Sequence, residues 1–243
     1  MSDRNLSFFP QVMSFPCIMM AIFLCSTVAH GGVFDKIKSL LPGSSQDGSQ
    51  KGTPTVTRGA IDGVYGLLAE ADTLLKKSVD ITFKMLANKD EIEQYERRMK
   101  EIESIKDPKE KEAETIKVEQ NKMTIVAKAT EQKDTADKVQ NLDAEQKKHL
   151  VNSIYNIFLA GLKDKDALEK SKQLSQGIKS NPSLAITFAG DATRLTDVVS
   201  NLPSQIDKIY NFGGNLSKLA QESKIEVALP KSSTESAKDA KLD

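Results

Sequence analysis

From Arg58 to Pro108 the apolar residues of this chain recur at steps of three and four. Ile61, Val64, Leu68, Ala71, Leu75, Val79, Leu86, Ile92, Tyr95, Met99 and Ile102 carry the pattern, and no proline interrupts it. That period places them on one face of an amphipathic helix. Unbroken, it would run for about 45–50 residues, on the order of 70 Å at 1.5 Å per residue. No segment alternates cleanly with period two, and β-branched clusters between turn signals are missing. The expected fold class is therefore all-α, an elongated helical bundle.

Asp107-Pro108-Lys109-Glu110 restarts the helical pattern. Aspartate caps free N–H groups, proline suits the first helical position, and Glu110 can complete a capping box. The second arm is expected to reach Gln140 with a thin stripe of Ala113, Ile116, Met123, Val126 and Ala127. Roughly half of the residues between Lys89 and Lys138 are charged, with the signs intermixed. Such a face is solvated and held by i,i+4 pairs of about 0.2–0.5 kcal/mol each. The two arms read as a long antiparallel hairpin over about residues 88–140, its tip near Lys106–Glu110 in solvent.

Asp143-Ala144-Glu145-Gln146 is a further cap, opening a helix with Leu150, Val151, Ile154, Ile157, Phe158, Leu162 and Leu168. Ser180-Asn181-Pro182 ends it and starts a fourth, bearing Leu184, Phe188, Ala192, Leu195, Val198, Val199 and Leu202. Pro203 is expected to end or kink that helix. Ile206, Ile209, Tyr210, Leu216 and Leu219 then form a fifth, with Gly213-Gly214 inside it. The bundle thus spans residues 58–222, and residues 223–243, rich in Lys, Ser, Glu, Asp and Ala, are expected to form a disordered tail.

The N-terminal 57 residues are organised differently. A polar opening precedes the apolar run Cys17–Leu24, followed by Cys25-Ser26-Thr27-Val28-Ala29. This is the pattern of a signal peptide over residues 1–29, cut near Ala29. An uncleaved inner-membrane anchor is the alternative, although spanning takes about 20 apolar residues and Pro16 shortens this run. Residues 30–57 read as a short amphipathic helix at Val33–Leu41 and a flexible Gly/Ser/Pro/Thr linker. Both cysteines fall within the leader, so the mature chain has no disulfide to rely on.

Composition narrows the chemistry. Lysine plus arginine equals aspartate plus glutamate, 34 each, and aromatics make up 5%. There is no net field for nucleic acid and few rings for base stacking, so nucleic acid is not an expected partner. Glu145 and His149 share a helix face but make only two ligands, and the step is wrong for the Glu-x-x-His pattern of di-iron bundles. The Gly43–Ser49 stretch has serine where a phosphate-binding loop needs lysine. Serine hydrolysis would have to use His149, the one histidine beyond the mature terminus. No catalytic, cofactor or metal residues are assigned, and the chain is read as a non-enzyme.

The functional expectation is an exported, periplasmic or secreted helical protein that binds a protein partner or a second copy of itself. Its candidate contacts are the stripe Ile92, Tyr95 and Met99 and the tip residues Lys106, Asp107 and Glu110. A membrane-active protein inserting residues 150–162 and 184–219 is the rival reading, and a small-ligand carrier the third. In either of the first two, membrane contact requires a retained leader or an opened bundle.

Overall fold

A computed structural model describes residues 55–241; the leader, the Val33–Leu41 segment and most of the linker lie outside them. The described residues form seven helices and no strand, an all-α bundle. In chain order they are α1 (Arg58–Leu86), α2 (Lys89–Glu103), α3 (Pro108–Thr130), α4 (Lys133–Gln140), α5 (Ala144–Lys179), α6 (Pro182–Thr187) and α7 (Ala189–Glu222). No helix among them is long and apolar enough to cross a membrane.

Three long helices make the body. α5 is the central one, packed along both α1 and α7. Arg58 at the start of α1 pairs with Asp191 at the start of α7 at 2.8 Å. At the other end, Lys138 of α4 donates to the carbonyls of Leu86 and Ala87 where α1 stops. Ser223, just past α7, donates to Ala136 of the same short helix. So α1 and α7 run parallel, and α5 runs antiparallel to both.

The α5–α7 contact is close because glycines face side chains across it. A Cβ on Gly213 would lie 3.1 Å from both Ile157 Cγ2 and Phe158 Cε2. One on Gly161 would lie 3.1 Å from Tyr210 Cζ. The Phe158 and Tyr210 rings meet at 5.8 Å between centroids, filling the space the glycines leave. By contrast, Gly59, Gly63 and Gly66 have nothing within 4 Å at the Cβ position and permit no close approach.

Several boundaries differ from the sequence expectation. The long first helix is two helices, because Asn88 accepts from Glu91 N–H and Glu91 accepts from Asn88 N–H in a capping box. Asn-x-x-Glu is visible in the sequence, but continuous periodicity overrode it. The second arm stops at Thr130, and α4 follows as a separate short helix. Its buried positions in α3 are Val118, Lys122, Val126 and Ala129, a face rotated from the expected stripe and containing a lysine. Pro203 neither ends nor divides α7: it lies on the exposed side, with Leu202, Gln205, Ile206 and Ile209 buried around it. Phe188 is the break instead, separating α6 from α7.

The tail after Glu222 is placed rather than disordered. Lys224 takes a left-handed φ of 60°. Its N–H bonds the Gln221 carbonyl, and the Ile225 N–H bonds that of Ala220, which turns the chain back on the bundle. Ile225, Val227 and Leu229 then pack on the core, and Pro230 is buried. Their alternation is the period-two signal of an extended segment, too short to stand out among the surrounding lysines and serines.

The glycine contact gives a direct test. Gly213→Ala gains helix propensity of about 1 kcal/mol, but Ile157 and Phe158 are buried and cannot retreat. A net loss of about 1–2 kcal/mol is expected in chemical denaturation. A variant as stable as the parent would show that the interface yields.

Candidate interaction surface on the helical hairpin

The hairpin formed by α2 and α3 joins the bundle through apolar contacts at Val126 and Ala129 and through one buried cation. Lys122 is 3% exposed. Its ammonium lies 3.1 Å from Asp80 Oδ1 of α1 and 3.1 Å from Glu119 Oε1. It also sits 4.3 Å from the centroid of the Tyr95 ring and 5.9 Å from that of Phe83. These two rings touch at 5.3 Å, and the Tyr95 hydroxyl donates to Glu119. A desolvated ammonium is tolerated here because two carboxylates and two π faces replace its water.

The electrostatics agree with the geometry. Burial alone would raise the Asp80 carboxyl, but the charge and hydrogen bond of Lys122, with help from Lys84, hold it below its ordinary value. Burial would lower Lys122, yet Tyr95, Glu119 and Asp80 keep it above its ordinary value. The stabilisation from Asp80 is therefore present above pH 3.8 and lost as pH falls through its lowered value. That from Lys122 is present below pH 10.5 and lost as pH rises through its raised value.

This arrangement relocates half of the residues expected to meet a partner. Ile92, Tyr95 and Met99 are half-buried, and Ile92 and Tyr95 pack on the core cluster. Ile102, next along the same face, is 1% exposed. The stripe belongs to the inner seam of the hairpin, where α2 packs on α3. Lys106, Asp107 and Glu110 are exposed at the tip, with Pro108 and Lys109. Asp107 Oδ1 accepts from the N–H groups of Lys109 and Glu110, fixing the turn. Beyond the seam, Arg98 bonds Glu101 and Glu114, and Lys117 bonds Glu114, cross-bracing the arms in solvent.

Elsewhere, the interior holds a polar group that periodicity missed. Asp164 of α5 is 1% exposed, although Lys163 and Lys165 flank it in sequence. Its Oδ2, Asp72 Oδ1 of α1 and the Tyr210 hydroxyl of α7 are buried without a hydrogen-bond partner among the described residues. Burial, reinforced by Asp72, pushes the Asp164 carboxyl up to about 8. Burial and Asp164 push the Tyr210 hydroxyl up to about 12. Asp164 is thus protonated at neutral pH. No group of three or more His, Cys, Asp or Glu among the described residues could hold a metal ion. His149 lies 3.6 Å from Glu145, and its Nδ1 accepts from Lys241 N–H.

Known protein families, curated proteins and solved structures provide no match to this chain.

Two substitutions probe these groups. Lys122→Met keeps the stem and removes the charge. A loss of about 1–2 kcal/mol is expected, moderated because Asp80 retains water on one side. Faster amide exchange should be confined to α2 and α3; uniform loosening of the whole bundle would contradict the latch. Asp164→Asn tests the interior. A carboxyl with a raised folded-state pKa leaves stability intact below about pH 4 and erodes it as pH rises toward 8. The asparagine variant should gain on the parent over that window, by about 5 kcal/mol at pH 8. Parallel stability–pH curves would show that Asp164 is solvated.

Proposed function

We propose that this chain is an exported, non-catalytic helical protein that acts by holding a protein partner at the tip of its α2–α3 hairpin. The observation that carries the reading is the contrast within the hairpin. Its inner seam is consumed by Ile102, Val118 and the Lys122 latch, whereas Lys106, Asp107, Lys109 and Glu110 are exposed. A rigid turn braced by Asp107 and bearing both charges presents a pre-organised polar contact, which loses little entropy on binding. Intermixed signs favour a partner with alternating charges over a uniformly anionic surface. Export rests on the leader pattern of residues 1–29, and with it goes the expectation of a partner in the periplasm or outside the cell.

The test has two readings from one strain. A Gram-negative host expressing the full chain is fractionated, and the intact mass of the product should begin near His30 in the soluble periplasm. A photo-crosslinking residue at Lys106 should then yield a discrete adduct. Lys109→Glu with Glu110→Lys should abolish that adduct while leaving helicity unchanged. Adduct formation indifferent to the reversed tip charges would remove the tip as the contact, and a cytoplasmic full-length product would remove export.

A further inference from the structure

The C-terminal segment is held by side chains that grip its backbone. Asn156 Nδ2 donates to the Lys238 carbonyl at 2.8 Å, and Lys238 N–H donates to Asn156 Oδ1 at 2.8 Å. Asn152 Nδ2 donates to the Asp239 carbonyl at 2.5 Å, and Lys241 N–H donates to His149 Nδ1 at 3.2 Å. His149, Asn152 and Asn156 are spaced i, i+3 and i+7, one face of α5. The spacing also fits the bound chain. Seven helical residues rise about 10 Å, and the three extended steps from Lys238 to Lys241 cover about 10 Å.

Two contacts add selectivity to this backbone recognition. The Tyr155 hydroxyl donates to Glu235 Oε2 at 2.6 Å, and Lys238 Nζ lies 4.1 Å from the centroid of the Tyr155 ring. The bond to Glu235 is the main cause that pushes the Tyr155 hydroxyl up to about 12. With the tail in place Tyr155 and Asn156 are 5% and 4% exposed, so the segment closes over both side chains.

We propose that this face of α5 is a binding site for an extended polypeptide carrying an acidic residue three positions before a lysine. The chain's own Glu235–Lys241 fills it in cis, and the same segment of a second copy fills it in trans when the tail lifts. The occupant is identified by the site's own chemistry: Glu235-Ser236-Ala237-Lys238 supplies the acid and the base that Tyr155 selects. This surface is separate from the hairpin tip and does not depend on the function proposed for it.

A tethered occupant acts at roughly millimolar effective concentration, so the parent protein should exclude a competitor added at micromolar concentration. The full chain carrying Glu235→Ala and Lys238→Ala weakens its own tail and should admit one. A fluorescein-labelled peptide of residues 231–243 should then raise anisotropy saturably with this variant and not with the parent. Adding Asn156→Asp, which replaces the donor to the Lys238 carbonyl, should weaken binding about tenfold, the worth of one such bond. Equal binding of a scrambled peptide, or no saturable binding by the double variant, would overturn the site. For the trans occupant, isotopically light and heavy parent chains are mixed at rising concentration and examined by native mass spectrometry. Mixed dimers that disappear in the double variant support exchange; their absence, or their persistence in that variant, overturns it.

Discussion

Everything in this bundle is arranged around the need to cover α5. From Ser153 to Gly161 every residue of that helix is buried, so no face of it is left for water. A helix apolar on most of its circumference must be enclosed on all sides. α1 and α7 supply two sides, α7 drawn in by the Gly161 and Gly213 approaches. The tail supplies another over Tyr155 and Asn156. The two asparagines that interrupt the apolar run at positions 152 and 156 are not flaws in that core. They are the polar groups to which the covering segment is fastened.

The hairpin solves a different problem. Between Lys89 and Lys138 the chain brings limited apolar surface to the body: Val126 and Ala129 join its core, and Ile92, Tyr95 and Met123 pack against it. A buried lysine with two carboxylates and two aromatic rings adds to that contact. Such a cluster contributes more to specifying one docked geometry than to net stability, because its desolvation cost offsets much of its attraction. It leaves the tip free of structural duty apart from the Asp107 cap.

What was legible in the sequence follows from which forces act locally. The all-α class, the start of α5 at the Asp143–Gln146 box and its end at Ser180-Asn181-Pro182 are written in short-range signals. The tip residues Lys106, Asp107 and Glu110 could be placed for the same reason, since a capped Asp-Pro turn is a local event. The inward turn of Ile92, Tyr95 and Met99 was not legible, because periodicity names a face without naming what lies against it. Lys122 lay within a face read as solvated: a lone charge among charges looks exposed until tertiary contact buries it. The tail was missed because its order comes from side chains some 80–90 residues away in sequence rather than from any propensity of its own.

The central claim is that residues 153–161 of α5 are enclosed on every side, with the C-terminal segment as part of the enclosure. Hydrogen exchange on the full-length protein tests it most directly. The amides of residues 153–161 should exchange slowest of all, and those of Lys238 and Lys241, which donate to Asn156 and His149, should be protected well above free-chain rates. Exchange of residues 235–241 at free-chain rates, with α5 still fully protected, would contradict the account.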